Sequence, residues 1–125
     1  MTVKEISNII FKGNEKRLVI LNNPFFLVSY INVYNDIEIL YLKNYKQYKF
    51  QDGDVVFADI PFYNEKRLNK IDFDFDDFFK WARTQKYLVY FVNGKLPVPS
   101  FPTAWAKGRM PNGEYEETLY ANRAI

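Results

Sequence analysis

The sequence contains neither cysteine nor histidine. That removes a disulfide framework, a zinc cluster of the usual Cys/His type, a thiol nucleophile and a Ser-His-Asp relay. Glycine is scarce: the five residues Gly13, Gly53, Gly94, Gly108 and Gly113 are all isolated, so no Gly-x-Gly exists anywhere in the chain. Long apolar runs are missing as well, and the longest falls far short of the ~20 residues a membrane span needs. Lys4, Glu5, Lys12, Glu15, Lys16 and Arg17 crowd the N-terminal end, which is not the pattern of a secretory signal. Neither sign of charge dominates. With 17 Lys+Arg against 15 Asp+Glu the net charge is +2, which permits a nucleic-acid partner without requiring one. The expectation is a cytoplasmic protein with no membrane segment.

What is present is apolar and aromatic. Hydrophobic residues make up 48% and aromatics 19%, from 12 Phe, 10 Tyr and 2 Trp, enough for the core of one compact domain over residues 1–125 and too much for a disordered tail. Arg17–Leu21 is a short β-branched run that reads as a buried strand. Asn23 and Pro24 read as the N-cap and first position of a helix through Tyr34. Ile37–Leu42 reads as a strand, followed by a polar, aromatic connector and a turn at Gln51-Asp52-Gly53-Asp54. Val55–Ala58 has the continuous apolar pattern of a strand buried on both faces. Asp74 or Asp76 caps a helix with Phe75, Phe78, Phe79 and Ala82 at i, i+3, i+4 and i+7. Tyr87–Val92 is a further buried strand, and a hairpin turning at Pro111-Asn112-Gly113-Glu114 closes the chain. The alternation predicts an α/β fold with a mixed sheet and a C-terminal antiparallel hairpin. Phe57, Phe78 and Trp81 are expected to pack against one another in its core.

One segment carries recognisable chemistry. Asp54–Asn64 is a buried strand ending in Asp59-Ile60-Pro61-Phe62-Tyr63. At the carboxyl end of a strand in an α/β sheet, a carboxylate beside a flat ring can hold an amino-bearing aromatic base: the acid accepts from the exocyclic amine and the ring stacks. The plainer alternative is that Asp59 caps a turn and Phe62 packs in the core.

The segment resembles the Asp-Pro-Pro-Tyr motif of Dam-type N6-adenine DNA methyltransferases, especially their phage forms. The match extends to Phe73-Asp74, Phe78 and Trp81-Ala82 downstream, to Ile37–Leu40 followed by Asn44-Tyr45 upstream, and to Val89-Tyr90, Leu96-Pro97 and Glu117–Arg123. It covers about residues 37–123. The resemblance implies a partial Rossmann-like methyltransferase sheet. It also implies a vestigial adenine-binding site in which Asp59 accepts the target amine, Pro61 makes the turn and Phe62 stacks. Family members receive S-adenosylmethionine on a Phe-x-Gly-x-Gly loop of an N-terminal strand, and this chain has no such loop. Ile60 stands where the family has its first proline, and Val92-Asn93-Gly94 replaces Ser-Glu-Tyr, removing a polar wall of the site.

Taken alone, the chain is therefore expected to be inactive and to hold no cofactor. The first reading is a non-catalytic methyltransferase remnant acting as a binding protein, a phage or mobile-element counter-defence inhibitor of restriction or CRISPR machinery. A chain of this length that starts at Met1 and ends in a complete final strand fits that role. The alternative is the C-terminal half of a split S-adenosylmethionine-dependent enzyme whose partner brings the glycine loop. Partners in view are a host or defence-system protein, a second copy, or DNA. Tyr41, Tyr45 and Tyr48, at spacings suited to one helical face, together with Trp105, are candidate interface residues. Lys66, Arg67, Lys70, Lys80, Arg83 and Lys86 either track a phosphate backbone or form solvated faces. With the N-terminal half of the family domain missing, the sheet is expected to lack cover and to seek a partner.

Overall fold

The computed structural model describes residues 3–22, 37–63, 72–94, 96, 108–109 and 116–124. The helix expected from Asn23, the basic stretch at Lys66, Arg67 and Lys70, Trp105 and the turn at Pro111–Glu114 lie outside the described residues.

The elements run α1 (Val3–Ile10), β1 (Arg17–Leu21), β2 (Glu38–Leu42), a single 3-10 turn (Tyr45–Gln47), β3 (Asp54–Ala58), α2 (Phe75–Thr84), β4 (Val89–Asn93), β5 (Gly108–Arg109) and β6 (Glu116–Ala121). The strand order is β2-β1-β3-β4-β6, with β5 on the far side of β6. β1 is parallel to β2 and β3, and β3 is parallel to β4. β6 runs antiparallel to β4 and pairs with β5. This is the expected mixed α/β sheet with a C-terminal antiparallel pair. From β1 the chain steps to one side for β2 and then crosses back to lay β3 on the other. Such a reversal opens a crevice outside the carboxyl ends of the two strands, here β1 and β3.

Alternate residues of a strand face opposite sides of the sheet, and both sides are buried. Val19, Leu21, Val56, Ala58, Val89 and Phe91 pack with Phe75, Phe78, Phe79 and Ala82 of α2. Leu18, Ile20, Val55, Phe57, Tyr90 and Val92 pack with Ile6 and Ile10 of α1. Phe57 and Phe78 are both fully buried, but the sheet lies between them. The expectation that they meet was wrong because Phe57 shares the parity of Val55, not that of Val56. Trp81 sits at the margin of the α2 cluster, partly buried, with its ring centroid 5.9 Å from Phe78.

α2 begins where the acidic run requires. The Asp74 side chain accepts from the Asp77 backbone N–H at 3.0 Å, and Asp76 and Asp77 occupy the first turn, where the helix dipole favours negative charge. α1 packs Ile6 and Ile10 on the face of the sheet opposite α2, giving part of that face the cover it was expected to lack.

The ends of the strands are tied by buried polar groups. Arg17 donates to Asp54 through Nε (2.8 Å) and Nη2 (2.7 Å), joining the first residues of β1 and β3, and Tyr48 donates its hydroxyl to the same carboxylate. Asn122, just past β6, accepts from Val89 N–H at 2.8 Å and donates to the carbonyls of Ala82 and Tyr87 at 2.8 and 3.0 Å. One amide thus fixes β6 to the end of α2 and the start of β4. Among the described residues, no helix is long and apolar enough to cross a membrane.

Candidate functional site

The Asp59–Tyr63 segment leaves the carboxyl end of β3, beside the carboxyl end of β1. The Asp59 backbone N–H donates to the Leu21 carbonyl at 2.8 Å, extending the β1–β3 ladder by one step and setting Asp59 beside the exit of β1. Asn22 follows there with φ 82°, in the left-handed region where asparagine is the best-tolerated side chain after glycine, and its N–H donates to the Leu42 carbonyl at 2.7 Å.

Beyond Asp59 the chain alternates between inside and outside. Ile60 is 7% exposed and anchored in the α2-side core. Pro61 is half-buried, and Phe62 is 36% exposed, which sets aside the alternative that its ring packs in the core. Tyr63 turns back in and meets Phe75 edge-on at 5.3 Å.

The residue that holds this loop went unnoticed in the sequence. Asn93, the last residue of β4, is fully buried. Its Nδ2 donates to the Pro61 carbonyl at 3.1 Å, while its Oδ1 accepts from the backbone N–H groups of Tyr63 at 2.9 Å and Gly94 at 3.0 Å. Tyr120 donates its hydroxyl to the Gly94 carbonyl at 2.9 Å and stacks on Phe91, bracing the same corner from β6. Where a second proline would have stiffened the turn, a buried amide and an apolar anchor at Ile60 do so instead. The available signal was an asparagine ending the apolar run Val-Tyr-Phe-Val. An unpaired amide there would be costly, so it had to serve backbone groups nearby. The result is a fastened loop at the carboxyl end of β3 that leaves the Phe62 ring part-exposed, and an exposed ring can stack on a flat group.

The tyrosine set divides. Tyr41, on β2, is 40% exposed, whereas Tyr45 and Tyr48 are each 7% exposed and belong to the core. They do not share a helical face, because Tyr41 is in a strand and only a single 3-10 turn follows. Tyr45 donates to Asp77 and packs against Phe78 and Trp81 at 5.3 and 4.9 Å; Tyr48 donates to Asp54 and packs against Tyr87 at 5.6 Å. Burial, reinforced by hydrogen bonds to those carboxylates, pushes both phenols above their ordinary pKa. Neither is available as an interface anchor. For Asp54, burial alone would raise the pKa, but hydrogen bonds from Arg17 and Tyr48 outweigh it and hold the carboxylate below its usual range. Among the described residues, no group of three or more acidic side chains stands close enough to hold a metal ion.

Comparison with protein-family models gives no match, and no curated protein matches the sequence.

Proposed function

We propose that the chain is a non-catalytic, Dam-methyltransferase-like protein that acts by binding. The observation that carries this reading is the occupation of the slot beside the Asp59 strand. In the family that the sequence resembles, an N-terminal strand brings the glycine loop that receives the methyl donor. Here β3 has β1 on one side and β4 on the other, and β1 ends at Leu21, after which the sequence continues Asn22-Asn23-Pro24 with no glycine. The acceptor half of the arrangement, Asp59 and the exposed Phe62, persists without the donor half, and methyl transfer needs both held in line.

The same observation weighs against the split enzyme. A partner strand carrying a glycine loop would have to displace β1 from hydrogen bonds with both β2 and β3. In the binding reading, Asp59 and Phe62 form the retained recognition face, and the partner is a protein of the host or of a restriction or CRISPR defence system. Affinity capture from host lysate, with wild-type chain and a Phe62→Ala chain as parallel baits, tests it. A partner enriched by the first and lost by the second is the expected result. Equal recovery by both baits, or binding only to adenine-containing single strands, contradicts the protein-partner reading.

A further inference from the structure

A second concavity lies at the opposite end of the sheet from Asp59. β3 starts at Asp54, but its ladder with β4 starts only at Val56 and Val89. The first two residues of β3 therefore have no strand on the β4 side, and a cavity of about 330 Å³ opens there. That volume lies within the range of small-molecule sites. Its apolar lining includes Ile10 at the end of α1, Leu88, and the rings of Phe50 and Tyr87, which stack at 4.6 Å with 12° between planes. Phe50 is 41% exposed, which leaves ring surface at the mouth.

Lys12 and Asn14 line the same space, and two further polar groups there are placed to engage a ligand. Glu15 is held by the backbone N–H groups of Lys12 and Gly13, each taking one carboxylate oxygen, so acceptor capacity remains on both. Tyr90 is 3% exposed, and among the described residues its hydroxyl has no hydrogen-bond partner. A buried hydroxyl without a partner is costly, and one at the wall of a cavity is placed to meet a ligand atom. The other acid at the cavity, Asp54, is already committed to Arg17 and Tyr48.

We propose that this notch binds a small planar nitrogen heterocycle bearing an amine beside a ring nitrogen. The amine donates to Glu15, the ring nitrogen accepts from the Tyr90 hydroxyl, and the flat body lies against Phe50, Tyr87 and Leu88. Burial and the charge of Glu15 both raise the Tyr90 pKa, which keeps the phenol a donor at neutral pH. The site is independent of the Asp59 platform and of the function proposed for it.

The test is an NMR titration of the full chain at neutral pH with 2-aminobenzothiazole, an uncharged heterocycle with its amine beside a ring nitrogen, and with benzothiazole, which lacks the amine. Saturable amide shifts at Glu15, Leu88 and Tyr90 are expected with the first. Binding should weaken about tenfold, which corresponds to about 1.4 kcal/mol, for benzothiazole and for the Tyr90→Phe chain. Tyr90→Phe keeps the ring and removes only the hydroxyl, so a melting temperature at or above that of the wild type shows that the core is intact. Phe62→Ala should leave the affinity unchanged. Absence of saturable shifts, equal affinity for the two compounds, or shifts centred on Phe62 and Tyr63 overturns the proposal.

Discussion

Replacing Asn93 by alanine removes the group that fastens the Pro61–Tyr63 loop to the end of β4. Three hydrogen bonds disappear, to the Pro61 carbonyl and to the N–H groups of Tyr63 and Gly94. At a net value of about 1 kcal/mol each, the loss is about 3 kcal/mol, and more where a partner stays buried and unsatisfied. For a chain of this size that corresponds to a drop in Tm of roughly 12 °C. Thermal and urea unfolding measure the loss, and hydrogen exchange at the Tyr63 amide reports whether the loop itself has loosened. Asn93→Asp separates the donor from the acceptors. At neutral pH the carboxylate faces the Pro61 carbonyl, a like-signed oxygen, so this variant should be at least as unstable as Asn93→Ala. Burial raises the pKa of such an acid, so its penalty is small below the unfolded-state pKa and grows as pH rises through the folded-state value. Acidification should therefore narrow its gap to wild type as the protonated acid donates to Pro61. A loss under about 1 kcal/mol for Asn93→Ala, with unchanged exchange at Tyr63, would refute the assignment of Asn93 as the positioning residue.

Other outcomes follow from the packing and the charges. Phe78→Ala should cost about 3–5 kcal/mol. Because Phe57 and Phe78 occupy opposite faces of the sheet, the Phe57→Leu and Phe78→Leu losses should add to within about 0.5 kcal/mol in the double variant, as read from urea midpoints. The folded-state pKa of Asp54 lies below its unfolded value, so its contribution is present above the ordinary carboxylate pKa of about 3.9 and is lost as pH falls toward the folded value. Asp54→Asn should flatten the acid limb of the stability profile. The raised pKa values of Tyr45 and Tyr48 act in the other direction: stability present below about pH 10 should fall as pH rises further. Phenolate absorbance from these residues should appear together with unfolding.

The strands of the parallel core and α2 were legible in the sequence because each announces itself locally. β1 and β3 are short apolar runs bounded by polar residues, and α2 combines an acidic cap with phenylalanines at helical spacing. α1 was missed because it is only eight residues long, too short to stand as a helix by itself, and its stability comes from seating Ile6 and Ile10 on the sheet. The sidedness of Phe57 depended on register, and a shift of one residue reverses every assignment along a strand. Asp59 and Phe62 stood out as an acid and a ring at a strand end. Asn93 did not, since its partners Pro61 and Tyr63 lie about thirty residues away along the chain and only the fold brings them together. The notch at Tyr90 was hidden for the same reason: it exists because two neighbouring strands start at different heights.

The central claim is that β1 fills the donor strand's place without supplying a donor site. A calorimetric titration of the purified chain with S-adenosylmethionine tests it most directly. The account predicts no saturable heat at cofactor concentrations that would fill a working methyltransferase. A stoichiometric isotherm with micromolar affinity would contradict it, because Leu21-Asn22-Asn23 would then be a functioning cofactor loop.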